Sequence, residues 1–86
     1  MNAEPKYAKV WSKEQCPMCD AAIKLLNENS YVTTVLKIGV GDTTVEHLRA
    51  EVPTAKSVPQ IFINGSYVGG LTQLKTHLES KANATE

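Results

Sequence analysis

The feature that most constrains this chain is a C-x-x-C motif, Cys-Pro-Met-Cys, at residues 16–19. An apolar run, Tyr7 to Trp11, precedes the motif, and a run with helical periodicity, Asp20 to Asn29, follows it. If the first run is a strand and the second a helix, the two cysteines lie on the turn between them. In that context a C-x-x-C pair indicates redox chemistry.

The helix start predicts how the two sulfurs differ. Cys16 is placed at the N-cap, with Pro17 at the first helical position, where a missing N–H is tolerated. The unpaired N–H groups of a first turn favour an anion, and a cysteine pKa falls from ~8.5 to roughly 3.5–7.5 in such settings. Cys19 shares an apolar face with Ala22 and Leu26, so we expect it to point inward and Cys16 outward. An attacking thiolate and a shielded resolving thiol are what dithiol exchange requires.

Two other uses of the motif are less favoured. A structural zinc site needs four ligands, and the only histidines, His47 and His77, fall on separate predicted helices at surface positions. We therefore expect no metal. A structural disulfide would close a loop too short to constrain the unfolded chain much.

Composition limits the other classes of function. The 86 residues are enough for a single domain, 1–86, and nine basic and nine acidic side chains balance. Because these charges cancel, we expect no strong positive electrostatic field that would attract nucleic acid or an anionic membrane. No apolar stretch has the length of a membrane span or of a signal-peptide core, so we expect a cytoplasmic protein. Closely spaced cysteines in a reducing compartment are more often catalytic than structural.

The first half of the chain predicts a strand–helix–strand unit with parallel strands. A polar loop, Ser12 to Gln15, separates the first strand from the helix, and Tyr31 to Ile38 is β-branched enough for the second strand. Thr43 with Glu46 is a capping-box pattern that would open a second helix, burying Val45 and Leu48.

The second half predicts a hairpin and a closing helix. Asn64-Gly65 between two apolar runs is a strong hairpin signal, and Pro59 suits the first residue of the preceding strand. Leu71, Leu74 and Leu78 lie on one helical face, and 81–86 reads as a frayed tail. The expected order is β-α-β-α-β-β-α, an α/β fold with a four-stranded mixed sheet and three helices.

This order, with C-x-x-C at the first strand-to-helix turn, resembles the thioredoxin fold. Within that fold the chain resembles the glutaredoxins from about residue 6 to residue 79. Three motifs carry the resemblance: Ser-Lys-Glu-Gln-Cys-Pro-Met-Cys at 12–19, Ser-Val-Pro-Gln-Ile-Phe-Ile-Asn-Gly at 57–65, and Val-Gly-Gly at 68–70.

The resemblance implies a glutathione-dependent reductase of protein disulfides and glutathione mixed disulfides. Cys16 would attack the substrate disulfide and Cys19 would resolve a protein mixed disulfide. Glutathione would be the co-substrate, and ribonucleotide reductase is the partner protein that the family suggests. We expect a monomer.

The resemblance also implies a glutathione site. Lys13 would lie near the glycine carboxylate, although a solvated loop lysine is an equal reading of that residue. A cis bond before Pro59 would turn the backbone of Val58 toward the sulfurs, and N–H groups after the paired glycines would hold the γ-glutamyl end. The predicted glutathione contacts are Lys13, Met18, Val58, Pro59, Gly70, Leu71 and Thr72.

Two departures from the family pattern keep alternatives open. Met18 stands where a tyrosine is usual, and Leu71-Thr72-Gln73 replaces an acidic run. One alternative is a thioredoxin-like reductase recharged by another enzyme. The other is a module that binds an iron–sulfur cluster through Cys16 and glutathione, against which Pro17 argues.

Overall fold

A computed structural model describes residues 6–83, with side chains as far as Ser80. Its four strands form one mixed sheet in the order β2-β1-β3-β4, in which β1 and β2 are parallel and the other two pairs are antiparallel. The predicted fold, a four-stranded mixed sheet with three helices, is confirmed. The elements are β1 (Tyr7–Lys13), α1 (Pro17–Glu28), β2 (Val32–Ile38), α2 (Val45–Glu51), β3 (Gln60–Ile63), β4 (Ser66–Gly69) and α3 (Leu71–Asn83).

The alternation of side chains along β1 divides the interior into two cores. Ala8 and Val10 point to the face covered by α1 and α3, whereas Trp11 points to the face covered by α2. The first core adds Ala22, Leu26, Tyr31, Ile61, Ile63 and Leu74, and the second adds Leu48, Val52, Ala55 and Phe62. The sheet is therefore packed on both faces. The C-terminal end of β1 and the N-terminal end of β3 lie side by side, and β1 leads into the first turn of α1.

The hairpin forms where Asn-Gly predicts it. Asn64 and Gly65 have φ values of 51° and 85°, the left-handed conformation that a tight hairpin turn requires. Asn64 is also fixed from β1, because its Oδ1 accepts the Tyr7 N–H at 3.0 Å. The register of β3 with β4 shifts between Ile61 and Phe62, so Ile61 pairs with Gly69.

Four local predictions were wrong. Ser12 and Lys13 belong to β1 rather than to a polar loop, because pairing with β2 continues the strand past Trp11, and Ser12 is fully buried. The capping box of α2 uses Thr44 and His47, not Thr43 and Glu46: the Thr44 hydroxyl accepts the His47 N–H, and His47 Nδ1 accepts the Thr44 N–H.

The other two errors concern the burial of Val45 and the end of the chain. Val45 is 36% exposed, since α2 begins there and turns only its Leu48 side toward the second core. Helix α3 continues to Asn83, so 81–83 are helical rather than frayed, and residues 84–86 lie outside the described part of the chain. Within residues 6–83, no helix combines the length and the apolar character needed to cross a bilayer.

Candidate functional site

The sulfur of Cys16 lies at the start of α1. Cys16 is the N-cap, with extended backbone at φ −120° and ψ 94°, and Pro17 occupies the first turn. The Cys16 Sγ accepts the backbone N–H of Cys19 at 3.2 Å, and the Cys16 carbonyl accepts the Asp20 N–H at 3.0 Å. A first-turn amide that usually lacks a partner is therefore directed at the sulfur. This geometry favours negative charge on Cys16 when the thiol is free.

Cys16 and Cys19 form a disulfide in this structure, with their Cα atoms 5.2 Å apart. Cys19 is fully buried, as predicted. Cys16 was expected to point outward, yet it is only 7% exposed, because its sulfur turns back over the first turn of the helix to reach Cys19. The two cysteines still differ in exposure, since Cys16 keeps a small accessible edge and Cys19 has none.

The loop that delivers Cys16 contains an unusual backbone conformation. Gln15 has φ 57°, a left-handed value that is uncommon for residues other than glycine. A glutamine does not indicate this conformation, since Asn or Gly is the usual signal for such a position. Non-glycine residues in this region tend to occur at functional sites.

A groove of about 510 Å³ opens beside the motif. It is lined by Met18, by the segment that leads into β3, by β4, and by the first turn of α3. The Val58–Pro59 bond is cis, as the family resemblance implied. The structure brings six of the seven predicted glutathione contacts to this groove, namely Met18, Val58, Pro59, Gly70, Leu71 and Thr72. Their binding roles stay predictions.

Two groove residues had been overlooked. Gln60, a buried polar side chain, donates from Nε2 to the Ser57 carbonyl at 2.8 Å and accepts on Oε1 from the Tyr67 hydroxyl. Together these bonds tie the segment before β3 to the next strand. Tyr67 also stacks at a tilt on Phe62, with ring centroids 5.3 Å apart. The hairpin signal could have indicated the contact of Tyr67 with Phe62, because a two-residue turn at Asn64-Gly65 places these two residues opposite each other.

The first turn of α3 is organised by Gln73, which sequence reasoning also missed. Its Oε1 accepts the Gly70 N–H at 3.0 Å, which is one of the two hydrogen bonds of a capping box. The other bond would need a side-chain acceptor at the N-cap, and Gly70 has no side chain. The Gln73 side chain lies over Gly69, where an added Cβ would come within 3.0 Å of its Cγ. Gly69 has φ 122°, so glycine is required there for backbone and space alike.

Lys13 does not line this groove. It lies at an adjacent cavity of about 180 Å³, to which Arg49 and Lys56 also contribute. Ser57 and Val58 line both spaces, so this cationic cavity and the groove share one wall. Lys13 is separated from the groove because it is the last residue of β1 and its side chain, like that of Trp11, lies on the face of the sheet that α2 covers.

The two histidines behave differently from each other. His47 is exposed, as predicted, but it also completes the α2 capping box. His77 was expected at the surface and is half-buried, with Nε2 buried and lacking a hydrogen-bond partner among the described residues. Across residues 6–80, histidine, cysteine and acidic side chains form no group of three that could hold a metal ion.

Comparison with known proteins agrees with this geometry. A family model described as glutaredoxin matches residues 8–68. Glutaredoxin-C4 of Arabidopsis thaliana is 30% identical over 63 residues, which cover 71% of this chain and 47% of the relative. The chain thus spans about half the length of that relative.

Solved structures show the same fold. Glutaredoxin 1 from Francisella tularensis, crystallised with cacodylate, superposes with a TM-score of 0.74 at 25% identity, covering 91% of this chain and 98% of the other. A buckwheat glutaredoxin–glutathione complex superposes with a TM-score of 0.69 at 24% identity, covering 88% and 72%. With a cysteine pair at the start of its first helix and a family match over most of its length, this chain belongs to the glutaredoxin family.

Proposed function

We propose that this chain is a glutathione-dependent oxidoreductase that reduces glutathione mixed disulfides and protein disulfides. The observation that carries the proposal is the position of Cys16 Sγ, which caps the first turn of α1, the turn whose Met18 lines the groove. An N-capping sulfur is predisposed to ionise, and the thiolate is the nucleophile in disulfide exchange.

In the reduced protein, the Cys16 thiolate attacks the glutathione sulfur of a mixed disulfide. A Cys16–glutathione disulfide forms, and the other thiol leaves as a thiolate that takes a proton from solvent. A second glutathione thiolate then attacks the bound glutathione sulfur, which releases glutathione disulfide and regenerates the Cys16 thiolate. The mixed disulfide and one glutathione thiol are thereby converted into a free thiol and one glutathione disulfide.

Protein disulfides require both cysteines. Cys16 attacks one sulfur of the substrate protein, and Cys19 then attacks Cys16, which releases the second substrate thiol and closes the Cys16–Cys19 disulfide. Two glutathione molecules reopen that disulfide. The buried position of Cys19 supports this role, since it restricts the second thiol to attack on its neighbour.

The groove offers a place for glutathione during these steps. The N–H groups of Leu71 and Thr72 stand in the first turn of α3, where they have no intrahelical partners and favour a carboxylate. Val58 has its backbone at the wall that the groove shares with the cationic cavity, which contains Lys13. The glycine carboxylate would lie on that side. Ribonucleotide reductase, whose turnover leaves a disulfide, is the protein substrate we propose, in the cytoplasm, where glutathione is kept reduced.

The experiment compares Cys16→Ser and Cys19→Ser with the parent chain in two assays. With a glutathione mixed disulfide as substrate, Cys16→Ser should fall to the uncatalysed rate, and Cys19→Ser should retain activity. With a protein disulfide, both variants should be inactive. Turnover by Cys16→Ser would refute the assigned nucleophile.

A second measurement separates the two reductants. The Cys16–Cys19 disulfide is incubated either with glutathione or with NADPH and a thioredoxin-type reductase. We expect that glutathione reduces the disulfide and that the reductase does not. The reverse result would support a thioredoxin-like cycle.

A further inference from the structure

The groove beside Cys16 differs from the neighbouring cavity in charge. Among the described residues that line the groove, none has a charged side chain. The cationic cavity on the other side of Ser57 and Val58 contains three charged side chains, those of Lys13, Arg49 and Lys56. A ligand that spans the shared wall would therefore meet positive charge at one end and a neutral surface at the other.

At the neutral end, Gly70 to Gln73, the side chains have no charge, and one of their polar atoms is already engaged. Gln73 Oε1 accepts the Gly70 N–H at 3.0 Å. Thr72 is exposed, and its carbonyl accepts the Thr76 hydroxyl at 3.2 Å. The first turn of α3 offers a ligand backbone N–H donors. These donors can bind a carboxylate, but they cannot accept a hydrogen bond from an ammonium group.

The glutamyl end of glutathione has a carboxylate and an ammonium group on the same carbon atom. If the carboxylate binds the N–H groups of Leu71 and Thr72, the ammonium group must lie within a few ångströms, beside the Thr72 and Gln73 side chains. A neutral hydrogen-bond partner holds a cation less strongly than a carboxylate does. The charge on that nitrogen should then add little to binding.

We propose that this site takes carboxylate-bearing peptide thiols whether or not their amino group is charged, so that N-acylated thiols are substrates alongside glutathione. The inference rests on the proposed function, since it concerns the substrate class of the same groove. It makes Thr72 the residue at which specificity for the amino group would be set.

The test follows a single turnover of the reduced protein. Two mixed disulfides are compared, both with 2-mercaptoethanol as the leaving thiol, one made with glutathione and one with N-acetylglutathione. In each case Cys16 attacks the peptide sulfur and releases 2-mercaptoethanol. Cys19 then displaces the peptide thiol and closes the Cys16–Cys19 disulfide. The rates are read by mass spectrometry of the trapped protein.

We expect the ratio of the glutathione rate to the N-acetylglutathione rate to lie below about threefold in the parent chain, as a neutral contact predicts. Thr72→Asp should raise this ratio to about fivefold or more, the upper range for an exposed ion pair, and added salt should lower it again. Thr72→Asn, the matched neutral variant, should leave the ratio at the parent value.

A parent ratio above threefold would overturn the inference while leaving the proposed function intact. An unchanged ratio in Thr72→Asp would overturn the placement of the amino group beside Thr72. If both peptide disulfides react no faster than bis(2-hydroxyethyl) disulfide, the glutathione specificity itself fails, and the inference fails with it.

Discussion

At the scale of single residues, Cys16 and Cys19 differ through the helix that begins between them. Cys16 is outside the helical ladder and accepts a first-turn N–H, whereas Cys19 is inside the ladder and fully buried. Ionisation of Cys16 leaves its charge next to an amide dipole, and ionisation of Cys19 would place a charge in an apolar core. The same chemical group therefore has two different roles three residues apart.

The reduced protein should show this difference in its alkylation. In Cys19→Ser only one thiol remains, and we expect its pKa to lie below that of a free cysteine, since the first-turn amides favour the thiolate. The measurement is the rate of iodoacetamide alkylation as a function of pH. Lys13→Gln in the same background shows whether the cation contributes. A midpoint at or above about 8.5 would contradict the role of the helix start.

Glu51 forms the one ion pair found among the described residues, with Lys9 at 2.6 Å. Its other oxygen accepts the Trp11 indole N–H at 2.9 Å. The hydrogen bond from Lys9 is the main cause that holds the pKa of Glu51 below its ordinary value of 4.5. Burial acts in the opposite direction, and the hydrogen bond from Trp11 lowers the pKa further. The Lys9 ammonium also lies 4.9 Å from the centroid of the Phe62 ring.

Glu51→Gln should lower the free energy of unfolding at pH 7 by up to about 1 kcal/mol, because both partners are partly exposed and solvent screens the pair. The lowered pKa means that this contribution is present above the ordinary pKa and is lost as pH falls through the folded value. The difference in urea unfolding between parent and variant should therefore shrink as the pH is lowered below the ordinary pKa of 4.5. Glu79→Gln, an exposed glutamate outside this cluster, should show no such pH-dependent difference. A gap that does not change with pH would exclude the ionised pair as its cause.

At the scale of elements, the start of α3 depends on three residues in contact. Gly69 ends β4 with φ 122°, Gly70 caps α3, and the Gln73 side chain covers both. The register shift between β3 and β4 sets Gly69 opposite Ile61, so the helix start comes next to the cis Val58–Pro59 bond. An added Cβ on Gly70 would lie 3.6 Å from the Pro59 carbonyl, which shows how closely the two segments approach.

Gly69→Ala should destabilise the chain by about 1–3 kcal/mol through backbone strain, with a further cost from contact with Gln73. Gly39→Ala is the matched control, since Gly39 has φ 89° but no atom within 4 Å of an added Cβ. The free energies of unfolding in urea should rank parent, Gly39→Ala and Gly69→Ala from most to least stable. A Gln73→Ala background removes the contacts with Cγ and Cδ but keeps the Cβ at 3.1 Å, so the cost of Gly69→Ala should fall there without reaching that of Gly39→Ala. Equal costs in both backgrounds would rule out a steric contribution from Cγ and Cδ.

At the scale of the whole molecule, one thin sheet has two separate cores. Leu26 and Ile61 are fully buried in the core under α1 and α3, while Trp11 and Phe62 form the core under α2. A domain of 86 residues buries a smaller fraction of its surface than a large one does, so each core residue carries a large share of stability. The site lies where α1 and α3 meet the sheet, so loss of the first core should disturb it.

Leu26→Ala should reduce the free energy of unfolding by about 2–5 kcal/mol, since a fully buried leucine leaves a cavity when it is truncated. Val32→Ala, at a position 63% exposed on β2, should change it by less than about 0.5 kcal/mol. Thermal unfolding followed by circular dichroism measures both. Similar midpoints for the two variants would mean that the first core does not limit stability.

The sequence by itself determined the local parts of this protein. The helix start at Pro17, the hairpin at Asn64-Gly65 and the leucine face of α3 all depend on neighbours within a few residues, so their patterns are visible in the chain. The C-x-x-C motif belongs to this group as well, because its chemistry arises from the helix that follows it.

Tertiary structure decided the remainder, because it depends on residues distant in the sequence. Pairing with β2 extended β1 through Ser12 and Lys13, and the register shift between β3 and β4 placed Gly69 opposite Ile61. The Thr44 cap and the inward turn of Cys16 are local contacts, but the sequence pattern did not single them out. A sequence pattern specifies which hydrogen bonds a segment can make locally, whereas packing decides which of them are made and which side chains reach the groove.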